Sequence, residues 1–159
     1  MGDRLTHLDP QSHPTMVDVS DKDVTARTAT AEAWIELSAE ALALAVEGRA
    51  KKGDVFLVAE LAGVQGAKRT SELIPLCHPI PLDGVDVRVE AVGERIRATA
   101  TARCRGRTGV EMEALCAAST AALTVYDMLK AVDRGMRITD LRLLEKSGGR
   151  SGTWRAQTA

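Results

Sequence analysis

Hydrophobic and polar residues alternate along several stretches of the chain, and this pattern predicts β-strands. Residues 85–91 carry Val or Ala at every second position between charged residues, and residues 96–104 alternate in the same way. A period of two is typical of strands with one buried face. Because Gly93 and Glu94 provide a turn between these segments, we expect a hairpin. Two further segments, residues 31–37 and 138–144, are predicted to be strands.

The segment after residue 37 predicts the first helix. Ser38 is a suitable N-cap, because its side-chain oxygen can accept a hydrogen bond from a free backbone N–H of the first turn. The helix is expected to continue to about Ala50. Its apolar residues recur at helical spacing, so the face that carries Leu42, Ala45 and Val46 is expected to be buried.

Apolar runs predict two more helices and one more strand. Residues 64–73 predict a helix that the prolines at positions 75, 79 and 81 bring to an end. Residues 109–132 predict the longest helix of the chain. Residues 55–62 form a continuous apolar run of strand length, and we interpret this run as a strand.

The order of these elements predicts an α+β fold. Helices are interleaved with strands, and one pair of strands is a clear hairpin. We expect a ferredoxin-like sandwich, in which helices pack on one face of a mostly antiparallel sheet. Residues 1–15 are polar, contain two prolines and predict a flexible N-terminal arm. Residues 16–159 would then form a single domain, which includes a glycine-rich C-terminal loop at residues 146–152.

Composition narrows the possible classes of function. The chain has 159 residues, of which 45% are hydrophobic and 27% charged, as is typical of one globular domain. Aromatic residues make up only 3%, so nucleic-acid bases would find few rings on which to stack. Lys and Arg number 21 and Asp and Glu 22, so no net field attracts nucleic acid or a membrane. We therefore expect neither as a partner.

The cysteines and the N-terminus predict a cytoplasmic protein. Cys77, Cys104 and Cys116 are odd in number and lack a C-x-x-C spacing, which favours a reducing compartment over a disulfide framework. The first 15 residues contain no apolar stretch typical of a signal peptide, and no apolar run is long enough to span a membrane.

One face of the longest predicted helix carries candidate acid–base residues. Glu113 and Asp127 lie on the same face, with small residues between them at spacings of three and four. Lys130 follows Asp127 by three residues, so their side chains can meet. Taken alone, this pair fits an ordinary solvated ion pair on a helix. Glu111 fits a capping box with Thr108, and Glu113 can simply complement the helix dipole.

The segment LCHP at residues 76–79 is a second candidate. His78 can exchange protons near neutral pH, and the flanking prolines stiffen its loop. A structural histidine that caps a turn explains the same residue more simply. A zinc site is disfavoured, because Cys77 and His78 are adjacent and no companion pair has the spacing of metal ligands.

Basic residues form a third candidate, a site for a polyanion. They are Lys51 and Lys52, Lys68 and Arg69, and Lys146 and Arg150 within the segment KSGGRSG at residues 146–152. Glycines let backbone N–H groups turn toward an anion, and lysines add charge. The segment differs from the P-loop pattern, so ATP hydrolysis is not predicted. A disordered tail explains this segment equally well.

Eight short strings in the chain carry a resemblance to a known family. They are THL at 6–8, MVDVS at 16–20, KGDVF at 52–56, AKRT at 67–70, LIPLCHP at 73–79, TGVEMEAL at 108–115, AALTVYDM at 121–128 and KSGG at 146–149. In this order they closely resemble the family of cyclic pyranopterin monophosphate synthases, also called molybdenum cofactor biosynthesis protein C. The resemblance extends from about residue 5 to residue 154.

The resemblance implies an enzyme of molybdenum cofactor biosynthesis. This lyase would convert 3′,8-cyclo-7,8-dihydroguanosine 5′-triphosphate into cyclic pyranopterin monophosphate and release pyrophosphate. The resemblance implies Asp127 as the main catalytic acid or base, with Lys52 and Lys130 as partners. A lysine beside another cation can have its pKa lowered enough to exchange protons. The resemblance implies no metal and no organic cofactor.

The resemblance also implies which residues contact the substrate. The expected substrate-binding residues are Leu76, Cys77, His78, Glu111, Met112 and Glu113. The residues expected to contact phosphates are Arg27, Lys68, Lys146 and Arg150. No other partner than this small-molecule substrate and further copies of the chain is expected.

A site shared between subunits is expected from the length of the longest helix. On a straight helix, Glu113 and Asp127 would be about 21 Å apart, at about 1.5 Å per residue, which is too far for both to act on one atom. The resemblance implies a hexamer, a trimer of dimers, with sites between subunits, and such a site removes the difficulty. Small residues of this helix are expected to let the helices of two subunits approach. They are Ala117, Ala118, Ala121 and Ala122.

Two other classes of function remain open from the residues alone. A non-catalytic, ferredoxin-like nucleotide-binding regulatory module would explain the basic residues and the fold. It would not explain a helix face with Glu113, Asp127 and Lys130. A plain oligomerisation module would explain the small residues of that face as helix packing, and would leave His78 unexplained.

Overall fold

Strand β1 (Thr25–Glu36) is the central strand of a five-stranded sheet in a computed structural model that describes residue 11 and residues 13–157. Most of the expected N-terminal arm, together with the string THL, lies outside the described residues. The other strands are β2 (Gly84–Val92), β3 (Arg95–Gly106), β4 (Arg137–Ser147) and β5 (Trp154–Arg155). Their order in the sheet is β2-β3-β1-β4-β5, and every neighbouring pair is antiparallel.

Helices connect β1 to β2 and β3 to β4. They are α1 (Ala39–Val46), α2 (Val55–Lys68), α3 (Thr70–Leu73) and α4 (Glu111–Leu129). The predicted α+β fold with an antiparallel sheet is confirmed. Up to β4 the order is β-α-β-β-α-β, which is compatible with the expected ferredoxin-like arrangement. Within the described part of the chain, no helix is long and apolar enough to cross a membrane.

The core is built from small side chains on one face of the sheet. Fully buried residues face each other across β1 and β3 in the pairs Ala29–Ala102, Ala31–Ala100, Ala33–Ala98 and Ile35–Ile96. Helix α4 packs on β1, β3, β4 and α2. Its alanines Ala117, Ala118, Ala121 and Ala122 are fully buried within the chain. The expectation that these four alanines contact a second subunit is therefore wrong, because the sheet and α2 already cover them.

Residues 55–62 form the first half of α2, so the predicted strand is wrong. Asp54 is the N-cap of this helix, and its Oδ1 accepts a hydrogen bond from the backbone N–H of Leu57 at 3.0 Å. A short apolar run fits a strand and a helix equally well, and here the cap and the packing against α4 favour the helix. The helix predicted at residues 64–73 is consequently the second half of α2 followed by α3.

Helix α1 begins as predicted and ends early. The backbone N–H of Ala41 donates to Ser38 Oγ at 3.3 Å, which confirms the N-cap. The helix ends at Val46, because Gly48 takes a left-handed conformation with φ of 65°. Val46 is 57% exposed, so its expected burial is wrong, whereas Ala45 is buried as expected.

The hairpin is confirmed, with Gly93 at φ of 59° between β2 and β3. Strand β1 begins six residues earlier than expected. Residues 25–30 were not predicted as part of it, because these Thr- and Ala-rich residues carry little apolar alternation. Strand β4 runs on to Ser147, so the first two residues of the expected glycine-rich loop lie in the sheet. The two-residue strand β5 was not predicted, since so short a segment has no period.

The N-terminus of α4 differs from the predicted capping box. The N-cap is Val110, and no side chain caps the helix there. In a capping box, the Glu lies three residues after the N-cap. Glu111 directly follows the N-cap Val110, so Thr108 and Glu111 do not form this box. Glu111 instead lies beside Lys146, with 3.5 Å between Oε1 and Nζ. The carboxylate is therefore part of a polar cluster at this end of α4.

Candidate active site

A Lys–Asp–Lys cluster (Lys52, Asp127 and Lys130) lies at the C-terminal end of α4. Lys52 Nζ is 2.6 Å from Asp127 Oδ2 and 2.9 Å from the backbone oxygen of the same residue. Lys130 Nζ is 2.7 Å from Asp127 Oδ1. Each carboxylate oxygen thus contacts one ammonium group. All three side chains are about half exposed, so a ligand can reach them.

Contacts among the three side chains shift the pKa values of Asp127 and Lys130. Hydrogen bonds from Lys130 and then Lys52 lower the pKa of Asp127 to about 2, so the group is a carboxylate at neutral pH. The hydrogen bond to Asp127 raises the pKa of Lys130. The expectation of a lowered lysine pKa is therefore wrong for Lys130 within one chain, because the intervening carboxylate outweighs the second ammonium group.

Contacts outside the cluster fix the segments that carry it. After α4, Asp133 Oδ2 accepts a hydrogen bond from the backbone N–H of Ser38 at 2.7 Å, and its Oδ1 accepts one from the N–H of Gly135 at 2.8 Å. These bonds tie the end of α4 to the start of α1, and the loop after α1 carries Lys52. Tyr126 donates its hydroxyl to the backbone oxygen of Arg134 at 3.1 Å and holds the same turn.

A basic cavity of about 480 Å³ lies near the opposite end of α4. It is lined by Lys22, Asp23, Thr25, Arg27, Arg107, Thr108, Gly109, Glu111, Lys146, Gly149, Arg150 and Ser151. Five of these residues are cationic and two are acidic, so the cavity suits a polyanion.

The glycine-rich segment is folded onto β1 at this cavity. Gly148 and Gly149 have φ of 98° and 70°, which are left-handed conformations that favour glycine. A Cβ atom at Gly148 would overlap the backbone oxygen of Ala26, and one at Gly149 would overlap the guanidinium of Arg27. The absence of these side chains lets Lys146 and Arg150 reach the same cavity as Arg27. The alternative of a disordered tail is not needed.

Arg27 is oriented by backbone oxygens of the last residue of β3 and of the residue that follows it. Its Nε donates to the oxygen of Gly106 at 3.4 Å, and its Nη2 donates to the oxygen of Arg107 at 3.3 Å. The guanidinium is therefore held between β1, the start of the β3–α4 connection and the backbone of Gly149. Such a fixed planar cation is suited to binding a phosphate group.

An apolar cavity of about 360 Å³ adjoins the basic cavity. It is lined by Val17, Val19, Lys22, Leu76, Cys77, His78, Ile80, Thr108, Gly109, Glu111, Met112 and Glu113. Four of these residues, Lys22, Thr108, Gly109 and Glu111, line both cavities. The two cavities therefore form one continuous groove with a basic end and an apolar end.

Burial raises the pKa values of two side chains that line the apolar cavity, Glu113 and Cys77. Glu113 is only 3% exposed, and its burial, with a smaller effect of the Glu111 charge, raises its pKa. Burial, followed by the charge of Glu113, raises the pKa of Cys77, which makes this thiol a poor nucleophile at neutral pH. His78 Nε2 is 2.8 Å from the backbone oxygen of Val17. Because that oxygen only accepts, we assign the hydrogen to Nε2.

The groove brings together most of the predicted binding residues. Those that line it are Arg27, Leu76, Cys77, His78, Glu111, Met112, Glu113, Lys146 and Arg150. Lys68 is exposed in the last turn of α2 and lines neither cavity, so its expected phosphate contact has no counterpart in this groove. The Lys–Asp–Lys cluster is also absent from the lining of both cavities.

Several residues that line the groove, including Lys22 and Arg107, were not predicted from the sequence. The string MVDVS pointed to Val17 and Val19 without assigning them a role. The alternating arginines at positions 103, 105 and 107 are a local charge cluster that could have pointed to Arg107. Lys22 lies between two aspartates, so no local excess of positive charge marks it.

Comparisons with known proteins agree with the resemblance carried by the eight strings. Residues 16–149 match the MoaC family, and this range contains seven of the eight strings. The chain is also similar to the cyclic pyranopterin monophosphate synthase of Rhodospirillum rubrum. The two are 56% identical over 156 residues, which cover 97% of this chain and 94% of that protein. The matched part of the chain thus spans both the groove and the Lys–Asp–Lys cluster.

Proposed function

The chain belongs to the MoaC family, and we propose that it acts as a cyclic pyranopterin monophosphate synthase in molybdenum cofactor biosynthesis. The observation that carries this proposal is the 56% identity to a synthase of that name over 97% of the chain. The enzyme would be a lyase that takes 3′,8-cyclo-7,8-dihydroguanosine 5′-triphosphate as substrate and yields cyclic pyranopterin monophosphate and pyrophosphate.

We assign the two ends of the groove to the two parts of this substrate. The basic cavity carries five cations and suits the triphosphate. The apolar cavity suits the purine-derived ring system, and Glu113 offers it a carboxyl group with a raised pKa. Such a carboxyl group can donate or accept a hydrogen bond at the polar edge of a ring.

The reaction requires proton transfer at the ring and displacement at the α-phosphate. In the displacement, a substrate hydroxyl oxygen forms a bond to the α-phosphorus, and the bond to the pyrophosphate group breaks. The hydroxyl proton passes to a base. Asp127 is ionised at neutral pH and accepts protons, while the ammonium groups of Lys52 and Lys130 donate them and stabilise negative charge.

The catalytic groups and the groove would meet across a subunit interface. Glu113 and Asp127 are fourteen residues apart on α4, which corresponds to about 21 Å at about 1.5 Å per residue. The half-exposed Lys–Asp–Lys cluster lines neither cavity of its own chain. We propose a hexamer, a trimer of dimers, in which the cluster of one subunit faces the groove of its neighbour.

We place this enzyme in the cytoplasm. The three cysteines are free thiols, and Cys104 and Cys116 are buried. Unpaired cysteines are typical of a reducing compartment, which supports this proposal.

A direct assay tests the proposed reaction. The purified chain is incubated with the cyclised dihydroguanosine triphosphate, the product is identified by mass spectrometry, and pyrophosphate is measured separately. We expect both products in equal amounts. Binding of the substrate without conversion would favour the non-catalytic regulatory module, which the Lys–Asp–Lys cluster argues against. Failure to bind any nucleotide would contradict both functions.

A further inference from the structure

A short segment before β1 crosses the groove where its two ends meet. We call residues 16–24 the strap. Val17 and Val19 of the strap line the apolar cavity, Asp23 lines the basic cavity, and Lys22 lines both. Lys22 is thus the only cation among the four residues that the cavities share. It makes no ion pair with any residue that the structure describes, whereas Lys146 lies beside Glu111.

Local hydrogen bonds give the strap a defined turn. The backbone N–H of Lys22 donates to the oxygen of Val19 at 3.0 Å. Asp18 Oδ1 accepts from the backbone N–H of Ser20 at 2.8 Å and from its hydroxyl at 2.7 Å. These bonds orient residues 18–22 with respect to one another, but they do not attach the turn to the domain.

His78 attaches the strap to the domain. Its Nε2 donates to the backbone oxygen of Val17 at 2.8 Å, and 61 residues separate the two. Apart from Val17 and Val19, which are half-buried, the residues of the strap are exposed. This hydrogen bond holds the start of the strap, and β1, which begins at Thr25, holds its end. Lys22 lies between these two attachments.

We propose that Lys22 binds the α-phosphate of the substrate and that His78 is a positioning residue that holds the strap in place for this contact. The inference rests on the proposed function and deepens it. In a nucleoside triphosphate the α-phosphate joins the ring-bearing part to the two outer phosphates. Lys22 occupies the corresponding joint between the apolar and the basic cavity.

From this position, Lys22 would also stabilise the charge that develops during the reaction. When the hydroxyl oxygen bonds to the α-phosphorus and the bond to pyrophosphate breaks, negative charge increases on the surrounding oxygens. A fixed ammonium group beside these oxygens stabilises that charge. Arg150 lies in the basic cavity and outside the apolar one, so its charge would act on the outer phosphates.

Affinities for guanosine, GMP and GTP distinguish the α-phosphate contact of Lys22 from the outer-phosphate contact of Arg150. They would be measured by calorimetry on the full chain. The ratio of GMP to guanosine affinity reports the α-phosphate contact, and the ratio of GTP to GMP affinity reports the outer phosphates. Lys22→Met should lower the first ratio about tenfold, the usual order for a charged hydrogen bond, and leave the second unchanged. Arg150→Met should do the reverse. Lys51→Met, which removes an exposed lysine outside the groove, should change neither.

The role of His78 has its own measurement. Cleavage of the folded protein by trypsin after Lys22 should accelerate in His78→Ala and return toward the wild-type rate in His78→Gln, because the glutamine side chain retains an N–H donor. A purely chemical role of the imidazole would not alter this cleavage. In the Lys22→Met/His78→Ala double variant, the ratio of GMP to guanosine affinity should fall no further than in Lys22→Met alone.

Several results would overturn the inference. They are an unchanged GMP-to-guanosine ratio in Lys22→Met, a wild-type protein that binds GMP no better than guanosine, and losses that multiply in the double variant. The proposed function is tested separately by turnover. A chain that shows the expected affinity ratios without forming product would retain the Lys22 contact and refute the synthase.

Discussion

Lys52 Nζ lies 2.6 Å from Asp127 Oδ2, although 75 residues separate the two in the chain. Lys130 contacts the other oxygen of the same carboxylate, so Asp127 bridges two ammonium groups. The bridge explains why the pKa of Asp127 is low and that of Lys130 is raised. It also makes Asp127 the residue on which the geometry of the cluster depends.

Asp127→Asn should nearly abolish turnover. The amide keeps the shape of the side chain, but it cannot accept a proton or neutralise two ammonium groups, and general acid–base groups contribute about a hundred- to ten-thousand-fold. The thermal midpoint should change little, because exposed ion pairs contribute little to stability. The measurement is kcat for product and pyrophosphate. A variant within about threefold of the wild type would contradict the assignment.

Lys52→Ala should lose far more activity than Lys51→Ala. Lys52 contacts both the carboxylate and the backbone oxygen of Asp127. Lys51 is exposed and makes no ion pair with the described residues, so it is a matched control of the same charge. Rates of both variants at saturating substrate provide the comparison. Equal and mild losses would mean that the two lysines only attract phosphate to the surface.

Glu113→Gln should stabilise the fold increasingly as the pH rises. Burial raises the pKa of Glu113 above its ordinary value of 4.5, so the folded state holds this proton more tightly than the unfolded state. The stability associated with the group is fully present below about pH 4.5 and is lost as the pH rises through the folded pKa. Thermal midpoints at about pH 4 and pH 8 test this. The wild type should fall behind the variant only at the higher pH, and a constant difference would contradict the prediction.

Gly149→Ala should weaken triphosphate binding much more than Gly152→Ala. Both glycines have left-handed φ angles, 70° and 61°, so both variants incur similar backbone strain, on the order of 1–3 kcal/mol. Only at Gly149 would the new methyl group displace the guanidinium of Arg27, since nothing lies within 4 Å of a Cβ at Gly152. KM for the triphosphate should therefore separate the two variants. Similar KM values in both would show that backbone strain alone matters.

Mixing inactive Asp127→Asn and Glu113→Gln proteins should restore activity. If one site takes Asp127 from one subunit and Glu113 from its neighbour, about a quarter of randomly formed sites in hybrids contain both intact residues. Recovery should approach about a quarter of the wild-type rate after dissociation and reassembly. Native mass spectrometry confirms that subunits have exchanged. No recovery in exchanged assemblies would locate the whole site in one chain.

Several features of the fold follow from local sequence alone. The Ser38 cap, the hairpin around Gly93 and the meeting of Asp127 with Lys130 each involve residues within a few positions of one another. At such separations the period of the helix or the chemistry of the turn defines the geometry. The apolar run at residues 55–62 was ambiguous, because its length fits both kinds of element.

The sequence by itself determined the α+β fold class and, through the resemblance of its strings, the family. The tertiary structure alone decided which distant residues meet. It brought Lys52 to Asp127, Arg27 to Gly149, and the strap with Lys22 to His78. The physical reason is that contacts across long loops depend on how complete helices and strands pack, and no local period specifies them.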